Sequence, residues 1–177
     1  MLSDVMLPGI DGVTLCRRVR ESSTVPFVMI SARDDAVDVV GGLEAGADDY
    51  VTKPFDVQVL LARLRSVVRR AEGRTADADQ PSRPEQIGSL TLDRDALEVF
   101  RDGERLSLTP TELRLLLELV DARGTVLSAQ SLLSRVWDYD EWTTDKHLVT
   151  VHVQRLRAKV GAEVIETVRG FGYRLRR

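Results

Sequence analysis

The hydrophobic pattern of the first 71 residues alternates between short apolar runs and longer amphipathic stretches. The run "VPFVMIS" (Val25–Ser31) is apolar almost throughout, which is typical of a strand buried on both faces of a parallel sheet. After Asp56, a good helix N-cap, apolar residues recur on one helix face: Leu60, Leu61, Leu64, Val67 and Val68. Strand ends and helices alternate along the whole segment. The pattern therefore predicts an α/β fold, the back half of a doubly wound parallel sheet.

The pattern changes in the second half of the chain. The stretch "SLTLDRDALEVFRDGERLSL" alternates apolar and polar residues and contains Asp102-Gly103, a dipeptide that favours a hairpin turn between antiparallel strands. Three segments with helical spacing follow, namely "TPTELRLLLELVDARG", "SAQSLLSRVW" and "DKHLVTVHVQRLRAKVG". The closing segment "VIETVRGFGYRLRR" predicts two short strands around Arg169-Gly170. Residues 87–177 are therefore expected to form an α+β domain.

Between these two patterns lies a segment without large apolar residues. The sequence "EGRTADADQPSRPEQ" (Glu72–Gln86) carries prolines, a glycine and mixed charge, which is typical of a flexible linker. We therefore predict two domains, residues 1–71 and residues 87–177, joined by a linker at residues 72–86.

Composition narrows the class of protein. With 43% hydrophobic and 30% charged residues, the chain is similar to ordinary soluble globular proteins. Its one cysteine, Cys16, cannot form an internal disulfide, which fits a reducing compartment. No apolar run approaches the roughly 20 residues that a membrane span needs, and the N-terminus lacks the pattern of a signal peptide. We expect a cytoplasmic protein without a membrane partner.

The charge is distributed unevenly along the second domain. Residues 87–145 carry 6 basic and 12 acidic residues, whereas residues 146–177 carry 8 basic and 2 acidic residues. The net charge of −3 for the whole chain therefore hides a basic C-terminal end. Such an end is typical of a polyanion binder, although charge alone fits a solvated surface equally well.

The third helical segment of this domain favours a polyanion binder over a solvated surface. Val149, Val153, Leu156 and Val160 recur on one helix face and are expected to pack against the core. The other side is expected to present Lys146, Thr150, Val151, Gln154, Arg155 and Arg157. An apolar residue among polar and basic ones can contact a thymine methyl in a DNA major groove, while Gln and Arg read base edges. Lys146 and Arg157 suit phosphates, which add affinity without sequence information.

Four motifs in order carry a resemblance to a known family. The segments "LTPTELRLLLEL", "LLSRVWDYD", "VTVHVQRLRAKV" and "IETVRGFGYRL" resemble the winged-helix effector domain of OmpR/PhoB-type response regulators. The resemblance covers residues 87–177. It implies that residues 146–160 form a recognition helix and that residues 164–176 form the wing hairpin.

The resemblance also implies roles in DNA binding for particular residues. These are base contacts for Val151 and Arg155, a minor-groove contact for Arg169, and phosphate contacts for Gln154, Arg157 and Tyr173. One position departs from the family, because Thr150 stands where an Asp is usual. This departure affects an exposed helix position and hence the operator sequence.

The first domain resembles the receiver domain of the same family. The motif "DVMLPGIDG" carries Asp4 at the position of the phosphoacceptor, and "MISAR" supplies Ser31, the hydroxyl that turns toward the phosphoryl group. The motif "DDYVTKPF" supplies Tyr50, the aromatic switch, and Lys53, which pairs with the phosphoryl oxygens. A carboxylate nucleophile assisted by a lysine and a divalent metal is physically sound chemistry for phosphoryl transfer. The implied fold is a flavodoxin-like doubly wound sheet.

Two further features of the receiver follow from the resemblance. The family dimerises through a charged face, which corresponds here to Asp48, Asp49, Arg63 and Arg65. The family receiver also holds Mg²⁺ with two acidic residues at the end of an earlier strand, and this pair is absent from the chain. Asp4 and the backbone carbonyl of Met6 are then the candidate metal ligands, and two oxygens hold Mg²⁺ poorly in water. We therefore expect a truncated receiver with an unpaired sheet edge and impaired phosphorylation control.

These observations together predict a transcriptional regulator of a two-component phosphorelay system that binds DNA. The implied partners are promoter DNA with direct repeats, a sensor histidine kinase, RNA polymerase and a second copy of the chain bound through the receiver. An enzyme such as an aspartate-based phosphatase is disfavoured, because such enzymes need a second carboxylate where this chain has Met6. A dimerising interaction protein that titrates full-length response regulators remains an alternative.

Overall fold

Three parallel strands form the sheet of the first unit. They are β1 (Leu2–Asp4), β2 (Val28–Ala32) and β3 (Asp49–Lys53), in the spatial order β1-β2-β3. The computed structural model describes residues 1–32, 36–71, 84–139 and 146–176. Within these residues, β1 pairs with β2 alone and therefore lies at an edge of the sheet.

Three helices accompany this sheet, namely α1 (Gly12–Ser22), α2 (Ala36–Glu44) and α3 (Val57–Ala71). Helix α1 begins at an Asp11 cap, whose side chain accepts a hydrogen bond from the Thr14 amide at 2.8 Å. The inward face of α3 supplies Val67 to a core that also contains Val28 and Val51. The predicted alternation of strands and helices around a parallel sheet is confirmed.

The edge of this sheet exposes apolar side chains. Leu2 on β1, and Met6 and Leu7 in the turn that follows it, are exposed. Parallel sheets are normally covered on both faces. Within the described residues, no other element covers these three side chains, and the truncation of the receiver stays a prediction.

A four-stranded antiparallel sheet opens the second unit. Its strands are β4 (Glu85–Ile87), β5 (Leu90–Asp93), β6 (Glu98–Arg101) and β7 (Glu104–Arg105), in that spatial order. The predicted turn is present between β6 and β7, where Asp102 and Gly103 both have positive φ angles, 52° and 86°. Of the predicted linker at residues 72–86, residues 72–83 lie outside the described residues. Glu85 and Gln86 already belong to β4, because they pair with Leu92 and Thr91 on β5.

Helices α4 (Pro110–Asp121), α5 (Ala129–Trp137) and α6 (Lys146–Val160) carry the core of the second unit. Leucines of α4 and α5 are fully buried together with Trp137. Helix α5 begins at Ser128, whose hydroxyl accepts a hydrogen bond from the Ser131 amide at 3.0 Å. No helix in the described parts of the chain is both long and apolar enough to cross a membrane.

A two-stranded hairpin, β8 (Ile165–Val168) and β9 (Gly172–Leu175), ends the chain. Tyr173 on β9 exchanges two backbone hydrogen bonds with Leu127, at 2.8 and 2.9 Å, so that the hairpin is fixed to the segment before α5. Gly172 makes this approach possible. It has a φ angle of +146°, and a Cβ atom there would lie 2.0 Å from the carbonyl oxygen of Leu127.

Replacement of this glycine tests the approach. Gly172→Ala is expected to lower the free energy of unfolding by about 3 kcal/mol or more, because the backbone atom that it meets cannot move aside. Gly170→Ala is the matched control, since Gly170 has a φ angle of +80° but open space around it. That control is expected to cost about 1–2 kcal/mol. Urea denaturation of both variants measures the difference, and equal losses would contradict the packing described here.

Candidate functional site

The carboxyl ends of the three parallel strands bring two predicted receiver residues together. Asp4 ends β1 and Lys53 ends β3, and the Lys53 ammonium forms an ion pair with Oδ2 of Asp4. The other oxygen, Oδ1, accepts a hydrogen bond from the Met6 amide at 3.0 Å. The Lys53–Pro54 peptide bond is cis. Carboxylate and ammonium thus meet at the edge where open α/β sheets place their chemistry.

This environment favours the ionised form of Asp4. The hydrogen bond from Lys53 lowers the pKa of the Asp4 carboxyl below its ordinary value, and it outweighs the partial desolvation that raises this pKa. The Met6 amide lowers the pKa further. A carboxyl with a lowered pKa in the folded state stabilises the fold above its unfolded pKa of about 3.9. That contribution is lost as the pH falls through the folded pKa.

Ser31 places a hydroxyl at the same end of the sheet. Its side chain is buried on β2, and its Oγ has no hydrogen-bond partner among the described residues. Ser31 lies opposite Thr52, the residue before Lys53. The fourth predicted residue, Tyr50, is half-buried and lies further along β3, opposite Met29. The structure therefore joins Asp4 and Lys53 directly and places Ser31 on the strand between them.

The described residues do not fit a magnesium site. They contain no group of three or more His, Cys, Asp or Glu side chains that could hold a metal ion. Both oxygens of Asp4 already accept hydrogen bonds, from Lys53 and from Met6. Magnesium requires near-octahedral coordination by oxygen, and Asp4 with one backbone carbonyl supplies only part of it.

Two members of the predicted dimer face lie in the interior of the receiver unit. Asp48, just before β3, and Asp49, its first residue, are buried and therefore present no surface to a partner in this structure. Asp48 accepts hydrogen bonds from Arg20 at 2.8 Å and from the Phe27 amide at 2.9 Å, and Asp49 pairs with Arg63 at 3.5 Å. Within this chain the two carboxylates are therefore neutralised by arginines, because a buried charge needs a partner.

The other members of this face differ in exposure. Arg65 is exposed, whereas Arg63 is half-buried and donates to the Tyr50 carbonyl at 2.7 Å. Arg20 was missed at the sequence level. It lies 28 residues from Asp48, and no local pattern marks the pair.

Helix α6 exposes fewer of the predicted DNA-binding residues than expected. Lys146 and Gln154 are exposed and Thr150 is half-buried, but Val151 is only 2% exposed. The expectation that Val151 lies on the exposed side is wrong. The buried arc of the helix also includes Leu148 and His152, and it is therefore wider than the predicted apolar stripe.

Arg155 is held by a residue that the sequence did not single out for this role. Its Nη2 lies 2.9 Å from Oε1 of Glu112, and the side chain of Arg155 is 15% exposed. Glu112 is fully buried on α4, and its second oxygen accepts a hydrogen bond from Lys159 at 2.6 Å. The carboxylate thus fixes two basic side chains of α6, and it fixes the orientation of the Arg155 guanidinium.

The remaining predicted contacts lie on or beside the hairpin. Arg169 is exposed at its tip, where Phe171 is also 73% exposed. Arg157 is half-buried and donates to the hairpin backbone. It therefore does not project into solvent, contrary to the expectation. Tyr173 is half-buried, with its hydroxyl 3.4 Å from Oγ1 of Thr150. Phe171 was not among the predicted site residues, and only its isolation between two glycines could have suggested an exposed aromatic ring.

Comparison with known proteins identifies both units. Residues 1–65 match the family described as response regulator receiver domain, and residues 103–175 match the family described as transcriptional regulatory protein, C terminal. The transcriptional regulatory protein CseB of Streptomyces avermitilis is 57% identical over 183 residues, which cover 99% of this chain and 77% of CseB. The chain belongs to the OmpR/PhoB-type response regulators.

Further matches agree with this membership. The DNA-binding response regulator MtrA of Mycobacterium tuberculosis is 45% identical, with 98% of this chain and 75% of MtrA covered. The solved structure of a RitR mutant matches with a TM-score of 0.70 at 25% identity, covering 99% of this chain and 77% of that one. The response regulator thus combines an α/β receiver unit with a winged-helix unit. Its family consists of transcriptional regulators of two-component systems that bind DNA, whose receivers generally bind Mg²⁺.

The ion pair of this response regulator gives a direct test of the receiver geometry. Lys53→Met is expected to raise the pKa of Asp4 toward its ordinary value of about 3.9, because the largest cause of the lowered pKa is removed. A carbon-13 carboxyl titration by NMR measures this change. Asp11 is the internal control, since the amide and hydroxyl of Thr14 lower its pKa and do not depend on Lys53. An unchanged Asp4 titration in the variant would show that the ion pair does not form in solution.

Proposed function

We propose that this response regulator binds promoter DNA sequence-specifically through helix α6 and the β8–β9 hairpin. The observation that carries the proposal is that α6 and the hairpin of one domain expose Lys146, Gln154 and Arg169. A recognition helix reads the major groove, while a basic residue on a flanking segment reaches the adjacent minor groove. The relative MtrA is named a DNA-binding response regulator, which supports the proposal.

The residues take distinct roles in this proposal. Lys146 and Gln154 contact phosphates, Arg169 enters the minor groove, and Arg155 reads a base edge. Bidentate recognition of a guanine needs a guanidinium in a fixed plane. Glu112 provides this orientation for Arg155 through the 2.9 Å ion pair. Val151 takes no part, because it is buried.

Arg155→Ala is expected to relax sequence specificity and to weaken binding to the preferred site by about 1–3 kcal/mol. The preferred site is first selected by the wild-type chain from a random duplex library, and gel shifts then compare matched and mutated sites. Arg94→Ala is the matched control, because Arg94 pairs with Glu85 and Asp121 away from α6 and the hairpin.

Two outcomes would overturn this assignment. Unchanged specificity in Arg155→Ala would show that Arg155 makes no base contact. Failure of the wild-type chain to select any motif would contradict sequence-specific binding altogether. If the same chain then blocked the binding of a full-length response regulator, it would be a dimerising protein that titrates such regulators.

Partners of the receiver unit are proposed from the family. A sensor histidine kinase phosphorylates receivers of this kind, and a second copy of the chain is proposed to pair through the receiver on the side of the exposed Arg65. Two effector domains would then occupy direct repeats in a promoter and contact RNA polymerase. Asp48 and Asp49 support this face only from within, by fixing Arg20 and Arg63.

We propose further that phosphorylation of Asp4 in this chain is weak. The described residues offer magnesium one carboxylate at the sheet edge, and Lys53 already binds that carboxylate. Lys53 remains suited to neutralise charge on a phosphorylated Asp4, and the buried Ser31 hydroxyl remains suited to bind a phosphoryl oxygen.

This proposal is tested with acetyl phosphate and Mg²⁺ followed by intact mass measurement. We expect far less than one phosphoryl group per chain, because the metal that assists the attack is poorly held. The matched control is Asp4→Asn, which cannot form the acyl phosphate. A stoichiometric gain of one phosphoryl group that is lost in Asp4→Asn would refute weak phosphorylation.

A further inference from the structure

The guanidinium of Arg157 lies between helix α6 and the hairpin. Its Nε and Nη2 donate to the carbonyl oxygen of Ile165 at 2.9 and 2.7 Å, and Nη2 also donates to Oγ1 of Thr167 at 2.8 Å. A planar guanidinium can bind neighbouring acceptors in this way because its donors are fixed in one plane. Three hydrogen bonds therefore connect the last turns of α6 to strand β8.

The same guanidinium also faces the second strand of the hairpin. Its Cζ atom lies 6.0 Å from the centre of the Tyr173 ring, and Tyr173 pairs with Thr167 across the hairpin. The hydroxyl of Tyr173 lies 3.4 Å from Oγ1 of Thr150, one helical turn after Lys146 on α6. Contacts thus run from α6 through both strands and back to α6. We refer to Thr150, Arg157, Thr167, Tyr173 and the Ile165 carbonyl as the clamp.

The clamp extends from the buried base of the hairpin toward its exposed tip. At the base, Ile165 and Leu175 are buried, and the Arg176 amide donates to the Val164 carbonyl at 2.8 Å. At the tip, Arg169 and Phe171 are exposed. A two-stranded hairpin is only marginally stable by itself, so its contacts to α6, together with the backbone pairing of Tyr173 with Leu127, decide how firmly its tip is held.

We propose that Arg157 is a positioning residue that fixes the hairpin at one distance from α6, and that it does not contact DNA phosphate. This inference rests on the proposed DNA binding through α6 and the hairpin. A hairpin held in place before binding spares the loss of conformational freedom that docking would otherwise require. The clamp therefore determines whether Arg169 meets the minor groove while α6 occupies the major groove.

Loss of a phosphate contact and loss of the clamp are expected to change the salt dependence of DNA binding differently. Each phosphate contact that is lost lowers the slope of log Kd against log salt concentration by about 0.9 on double-stranded DNA. Arg157→Ala is expected to weaken binding to the selected duplex while keeping the wild-type slope. Lys146→Ala, at an exposed position of α6, is the control and is expected to lose about 0.9 of the slope.

A double-mutant cycle tests the link to the hairpin tip. Arg169→Ala is expected to weaken binding by a factor that is at least roughly threefold smaller in the Arg157→Ala background than in the wild type. Arg157→Lys is expected not to restore binding, because one ammonium cannot replace the planar guanidinium. A slope reduced by about 0.9 in Arg157→Ala, rescue by Arg157→Lys, or additive effects with Arg169→Ala would each overturn the clamp.

Hydrogen exchange without DNA tests the clamp independently of the proposed function. Amides of residues 168–172 are expected to exchange faster in Arg157→Ala, while those in the middle of α6 keep their wild-type rates. Thr167→Val removes one acceptor of the clamp with little change in shape, and it is expected to accelerate exchange of the same amides to a smaller extent. This variant replaces Arg157→Ala in the test if Arg157→Ala does not fold. Unchanged exchange at the tip in both variants would overturn the proposal even where DNA binding is intact.

Discussion

The winged-helix unit depends on the ion pairs of one buried carboxylate, that of Glu112. It binds Arg155 and Lys159, and Lys159 also donates to the Ser107 carbonyl at 2.8 Å. One carboxylate thus joins the start of α4, the segment before it and two turns of α6. Removal of one member of a buried ion pair leaves an uncompensated charge, at a cost of several kcal/mol. The direction of α6, and with it the placement of the hairpin, follows from this centre.

The basic residues of α6 have more than one purpose. Lys159 is directed to Glu112 and Arg157 to the hairpin backbone, while Arg155 is held by Glu112 in the orientation with which we propose that it reads a base edge. Lys146, at the other end of the helix, is exposed. The net positive charge of the C-terminal end therefore overstates the number of cations that point outward. Part of that charge fixes the positions of α6 and the hairpin, and part of it is exposed for contact with DNA.

Much of the fold could be predicted from the sequence, because local signals determine it. The turn at Asp102-Gly103 needs residues that tolerate positive φ angles, and the apolar run that contains β2 fits a buried parallel sheet. The family resemblance predicted that Lys53 pairs with phosphoryl oxygens, but no pattern in the sequence indicates its direct ion pair with Asp4, 49 positions away. The prediction that Val151 is exposed was wrong, because the helical period of the apolar residues does not show how wide the buried face of the helix is. The burial of Asp48 depends on Arg20, a long-range partner that no local pattern indicates.

The backbone pairing of Tyr173 with Leu127 has a consequence for the helices of the winged-helix unit. Leu127 directly precedes Ser128, the residue that caps α5. The ring and the hydroxyl of Tyr173 lie beside Arg157 and Thr150 of α6. The hairpin is thus coupled to the start of α5 as well as to α6, so that a displacement of one of the three is transmitted to the other two.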